Sequence, residues 1–166
     1  MLKQKEKSVA QVSRATSSGL SPQTSITIAV DTAYVAAQQG RNIGQGIYIM
    51  DNQVHNGSSG EGTLELSTMC DVGNLIGFNV VPIDSLGSSG DQVVITGFTV
   101  SQGNVFTAAG TPRPQTSPPG EPAGAYWIGQ ALNEGSQTYQ IQIAVTVGIL
   151  QPVTYYINWD PFITAH

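Results

Sequence analysis

TYQIQIAVTV, residues 138–147, alternates apolar and polar side chains along its whole length. Tyr139, Ile141, Ile143, Val145 and Val147 fall on one face, and Gln140, Gln142, Ala144 and Thr146 on the other. A repeat of two is the signature of a strand with one buried face. The same pattern spreads outward in both directions. SITIAVD repeats it through Ile26, Ile28 and Val30, GTLELST through Leu64 and Leu66, and PVTYYINW through Val153, Tyr155, Ile157 and Trp159. These four segments are predicted to face one core. Residues 46–51, 75–83, 92–101 and 125–132 are β-branched or aromatic and bounded by turn residues, which brings the expected number of strands to about eight. NGSSGEG, LGSSGD and LNEGSQ lie between them and combine Gly with Asn, Asp or Ser, residues that adopt turn conformations cheaply. A short helix is expected around TAYVAAQQ.

Short strands at near-regular spacing, without helices of crossover length, predict an all-β antiparallel β-sandwich with jelly-roll or Greek-key connections. A barrel is the alternative. Residues 107–124, TAAGTPRPQTSPPGEPAG, are too long for a tight turn and carry five prolines that cannot donate ladder bonds, so they are expected to form a surface loop.

The 166 residues suit one domain, and a chain near 150 residues buries roughly 68–70% of its unfolded surface. Only 10% of residues are charged, against about 25% in an ordinary domain. Neutral Ser, Thr, Gln and Asn take their place. The formal net charge of -5 leaves no broad basic surface to neutralise phosphates, which makes nucleic acid a poor partner. No apolar run approaches 18 residues, so no membrane-spanning helix is expected.

The charge is unevenly distributed. Residues 1–24 carry Lys3, Lys5, Lys7 and Arg14 against Glu6, which gives +3, whereas residues 25–166 carry Arg41 and Arg113 against ten acids, which gives -8. Residues 1–24 are therefore read as a polar basic arm and residues 25–166 as the sandwich domain. The arm lacks the apolar stretch of a secretory signal, so the expected compartment is the cytoplasm. The body contains no lysine, a common guard against edge-to-edge strand pairing. The acidic body is expected to attract the basic arm of a neighbouring copy in a homo-oligomer. The monomeric alternative has the proline-rich loop covering the sheet edges.

Sites of chemistry are sparse. Cys70 stands alone, and the histidines are His55 in a loop and His166 at the last position, so no nucleophile–base pair or zinc spacing is legible. No catalytic residue, metal or cofactor is expected. Asp31, Asp51, Asp71 and Asp84 end or follow strands, where turn formation explains them better than a calcium loop. GRNIGQG, residues 40–46, lacks the lysine and helix of a phosphate-binding loop, and Asn56-Gly57-Ser58 reads as a turn. Adjacent Tyr155 and Tyr156 must point to opposite faces of a strand, so some aromatics face outward. An exposed ring beside polar groups suits sugar stacking. Tyr126, Trp127, Tyr156 and Asp160 are the candidate ligand contacts, and a carbohydrate-binding module is the alternative to a self-associating protein.

Three motifs in order, DTAYV, CDVGNLIGFNVVPI and YYINWDPFITAH, resemble the AidA/PixA family of bacterial inclusion body proteins. Asp31-Thr32 matches the family's Asp-Thr pair after the first strand. Val72-Gly73 matches a VGD turn, with Asn74 in the Asp place, and Trp159, Asp160, Pro161 and Ile163 match the closing W-D-P-x-I segment. The basic arm and the proline-rich loop depart from the family pattern. The resemblance covers residues 25–166 and implies a small β-sandwich that accumulates in the cytoplasm or in inclusions without a recognised catalytic site. The closing motif also has a local reading: Pro161 ends ladder pairing, and Asp160 can accept backbone N–H groups before the strand direction resumes.

Overall fold

A computed structural model describes residues 21–83 and 90–166, with Ser101 and Gln102 described by their backbone alone. Lys3, Lys5, Lys7, Arg14 and Asp84 lie outside the described residues.

The expected sandwich is present. One sheet holds β1 (Thr24–Val30), β2 (Ile47–Asp51), β4 (Leu75–Pro82), β6 (Arg113–Pro114) and β7 (Tyr126–Gln130) in the order β2-β1-β4-β7-β6. The other runs β3-β10-β8-β5, from β3 (Ser67–Cys70), β10 (Phe162–Ala165), β8 (Gly135–Val147) and β5 (Gln92–Gln102). A further strand, β9 (Val153–Trp159), pairs with β8 beside β10. β9 and β10 are two halves of one line along β8, split at Asp160-Pro161 where the proline cannot donate a ladder bond. The expected short helix is α1 (Thr32–Ala37), capped by the Asp31 carboxylate accepting the Tyr34 amide at 2.9 Å.

Among the described residues most strand pairs are antiparallel, as expected, but β1 with β4 and β3 with β10 are parallel. Among the described residues ten strands form where about eight were expected. β10 resumes the direction of β9, and the two-residue β6 arises inside the proline-rich loop, where Pro114 sits on a sheet edge and needs no donor. The GTLELST segment is also displaced. Gly60 and Gly62 take positive φ and wrap residues 60–65 into turns, so the strand begins only at Ser67. Leu66 nevertheless reaches the core.

The alternation in β8 does what its pattern demands: Tyr139, Ile141, Ile143 and Val145 are fully buried. Ile26, Ile28 and Val30 meet them from the facing sheet, each such side chain worth about 1.5–3 kcal/mol of burial. The aromatic centre is Phe78, whose ring lies 4.8 Å from Phe98 and 5.8 Å from Tyr139 in tilted and edge-on contacts. β9 follows the pattern incompletely. Trp159 is buried, Ile157 and Tyr155 are half-buried, and Val153 is 49% exposed. Its inward face therefore leaves the core as the strand runs back toward the hairpin, which corrects the expectation that Val153, Tyr155 and Ile157 are buried in the core together with Trp159.

Candidate functional site

The residues matching the three family motifs hold the framework. Besides capping α1 through Asp31, this corner ties Thr32 to Asp91, which accepts the Thr32 hydroxyl. The other Asp91 oxygen accepts the Gly148 amide at 3.1 Å, so the start of α1 is tied to the β8–β9 hairpin. Val72-Gly73 forms a tight turn with Gly73 at φ 92°. Asn74 in the Asp place accepts the Thr24 hydroxyl at 3.2 Å and so fastens the turn to the start of β1. Ile163 is buried in β10, and Pro161 carries its carbonyl to the Tyr139 amide at 3.1 Å. Asp160 is exposed, and instead of closing a turn on backbone amides it accepts the Gln140 side chain at 3.1 Å.

The four candidate ligand contacts are divided between the sheets. Tyr126 and Trp127 lie on β7. The Trp127 ring packs 5.5 Å from Phe98, and its indole N–H donates to the Gly124 carbonyl, so it is a half-buried core residue. Tyr126 is half-buried on the other face of the strand, where burial raises its hydroxyl pKa. Tyr156 and Asp160 lie on the other sheet, at β9 and its end.

His55 lies in the 3-10 turn Val54–Asn56, which neighbours β3, and the Cys70 thiol on that strand is buried and donates weakly to the Thr164 carbonyl at 3.6 Å. Burial, then the charges of Asp71 and Asp51, push the Cys70 pKa up to about 11. His166 pairs with Asp71 at 3.6 Å on the surface. Among the described residues no group of three or more His, Cys, Asp or Glu side chains comes close enough to hold a metal ion.

The surface that does stand out is an edge. The chain's own loops bond to three of the sheet edges at one or two points each. Against β2, the Gly62 amide donates to the Ile49 carbonyl and the Glu61 carboxylate accepts the Asp51 amide at 2.9 Å. Against β3, Ser59 and Ser67 exchange two backbone bonds. Against β5, the Ile95 amide donates at 3.0 Å to Gly124, at the end of the proline-rich loop. The proline-rich loop thus meets two strands: β6 within it pairs with β7, and Gly124 at its end takes one bond from β5. β9 bonds to β8 on one side, and among the described residues no backbone hydrogen bond joins its outer edge to another segment.

A cleft of about 410 Å³ runs along this open edge. It is lined by the apolar Val35, Ile43, Ile47 and Leu64, by β9 from Tyr155 to Trp159, and by the loop of residues 38–43, on which Arg41 is exposed. Tyr156 points out of the strand with 78% of its surface exposed, and at the hairpin tip Leu150 is 96% exposed beside Ile149. From Ile149 to Trp159 no residue is charged. The sequence reading missed the tip and the loop's part in the cleft. The Ile149-Leu150 pair, set in a Gly148 and Gln151-Pro152 turn where polar residues are usual, is the signal that could have located it.

The model of one protein family matches residues 22–150. This chain belongs to that family, described as Domain of unknown function (DUF8788). Among solved structures, a crystal structure of the inclusion body protein PixA from Burkholderia cenocepacia J2315 is similar, with a TM-score of 0.68 and 16% sequence identity. The match covers 86% of this chain and 94% of that one. No curated protein matches. The DUF8788 chain and PixA therefore share a fold over nearly their whole length, which is the relationship that the Asp-Thr, Val-Gly and W-D-P motifs suggested. The family match ends before β9, so the open edge and the closing motif lie beyond it. No helix among the described residues is long and apolar enough to cross a membrane.

Proposed function

We propose that this DUF8788 protein is a non-enzymatic, self-associating β-sandwich of the inclusion-body type, held in the cytoplasm at high local concentration. The observation that carries the reading is the unpaired β9 edge with its uncharged, partly apolar strip from Ile149 to Trp159. An exposed strand edge is a template for another chain unless lysine, proline or a covering loop blocks it. Here proline stands at the strand's ends, at Pro152 and Pro161, and lysine is absent from the whole body. The low charge density lets copies approach closely, and the fold shared with an inclusion body protein supports the same reading. The His166 amide donates to the Cys70 carbonyl, but the Cys70 thiol is buried on the Thr164 carbonyl while the His166 ring pairs with Asp71 at the surface, so no hydrogen bond joins thiol and imidazole, which favours a non-catalytic role.

Sedimentation velocity across a wide concentration range tests this. The expected result is a concentration-dependent rise from monomer to larger species, together with cellular particles that dissolve without denaturant and give a β-sheet circular dichroism spectrum. A single monomeric species at the highest attainable concentration would overturn the proposal.

A further inference from the structure

We infer that the contact between copies is an antiparallel pairing of β9 with β9 of a second molecule, centred on a two-fold axis at Tyr156. This names the interface of the self-association proposed above and rests on that reading. β9 is seven residues long, with Pro152 before it and Asp160-Pro161 after it, so neither end can extend the ladder. Among antiparallel registers of a strand with its own copy, the one centred on Tyr156 pairs all seven residues. It sets Tyr156 opposite Tyr156, Tyr155 opposite Ile157, Thr154 opposite Asn158 and Val153 opposite Trp159. A two-fold axis perpendicular to the sheet keeps the faces aligned, as isologous contacts require.

The two faces then fit their surroundings. On the inward face, Tyr155 and Ile157 are half-buried, and the second copy's same residues would lie over the apolar lining of the cleft, covering Ile43 and Leu64. On the outward face, the neutral Thr154, Tyr156 and Asn158 meet their counterparts with no like charges opposed. The choice of occupant follows from charge. The body carries a net -8 spread thinly over few charged residues, so like copies approach at least cost along a strip that has no charge. Arg41 on the loop that lines the cleft is exposed and in no ion pair among the described residues, so it presents a cation to the incoming acidic copy. The pairing joins β5-β8-β9 of each molecule into one continuous six-stranded sheet.

The test is a charge-swap at the outward positions of the full-length protein. T154K/N158K places lysine opposite lysine twice across the axis and is expected to weaken self-association about tenfold or more. T154E/N158E is expected to do the same alone, and an equimolar mixture of the two variants is expected to restore association as a mixed dimer. Because both positions are solvent-exposed, circular dichroism should show folded protein for each. In parallel, Tyr156→Cys is expected to form an intermolecular disulfide under mild oxidation, whereas Tyr48→Cys on the outer face of β2 is not; opposed Cβ atoms in an antiparallel pair lie about 4.5–5.5 Å apart. If the wild type associates but the lysine variant does so equally well, the β9 interface is wrong while self-association stands. If the wild type never leaves the monomer, both fail.

Discussion

The Thr32 hydroxyl donates to the Asp91 carboxylate, joining the start of α1 to a residue 59 positions later in the chain. Asp91 also holds the Gly148 amide, so a single carboxylate anchors the helix, the start of β5 and the hairpin from which β9 departs. The cleft and the open edge are thus set relative to each other by this contact. Thr32→Val keeps the shape of the side chain and removes the donor. It is expected to cost about 1.5–3 kcal/mol in urea unfolding, the range for hydrogen bonds to charged groups. An unchanged midpoint would show that Asp91 is held by its other contacts alone.

Ile143 in β8 and Val153 in β9 both sit at positions the sequence pattern turns toward the core, yet Ile143 is fully buried and Val153 is half-exposed. Ile143→Ala opens a cavity in the core and is expected to cost about 2–5 kcal/mol. Val153→Ala, on a half-exposed residue at the hairpin, is expected to stay within about 0.5 kcal/mol in monomeric conditions. Similar losses at the two sites, measured by denaturant unfolding, would contradict the outward peel of β9.

Cys70 should resist alkylation in the native protein. Its thiol is buried and its pKa stands at about 11, so little thiolate exists near neutral pH and less is reachable. Mass spectrometry after iodoacetamide treatment is expected to show an unmodified native chain and a singly modified unfolded one. Rapid native labelling would place the thiol at the surface.

Glu61 sits against Asp51 at the edge of β2, each with a buried carboxylate oxygen that has no hydrogen-bond partner. Burial first, and the neighbouring Asp51 charge next, raise the Glu61 pKa. A raised folded pKa means that the protonated form is favoured in the native state, so the contribution of Glu61 is fully present at low pH and is lost as pH rises through the folded value. Glu61→Gln keeps an acceptor for the Asp51 amide and removes the charge. Its thermal midpoint is expected to exceed that of the wild type at pH 7, with the difference closing as pH falls below about 4. A pH-independent difference would remove the charge from the explanation.

Residues 1–20 carry Lys3, Lys5, Lys7 and Arg14, and the proposed assembly gives them the acidic body of a neighbour to meet. Their deletion is expected to weaken association at low salt without changing the unfolding midpoint. At about 1 M salt, where the Debye length falls to roughly 3 Å, full-length and truncated chains should associate alike through β9. A truncated chain that associates as well as the full one at low salt would assign the arm no part in assembly.

The alternation in Tyr139–Val147 and Ile26–Val30 determined by itself that these segments are strands and which side chains they bury, because a two-residue repeat has one solution when one face must leave water. The Asp31 cap of α1 and the Val72-Gly73 turn were equally local, since each is closed by groups a few residues apart. Strand direction was not, because a period of two is the same read either way; the parallel pairings of β1 with β4 and β3 with β10 depend on which distant strands the core draws together. Tertiary structure likewise decided the fate of each edge. The backbone of β9 has the same donors and acceptors as that of β5 or β2, and whether a loop reaches them depends on where Gly124, Gly62 and the 38–43 segment come to rest. The lack of charge from Ile149 to Trp159 is a property of the sequence that no local pattern singled out; only the assembled sandwich left that strip on an uncovered edge.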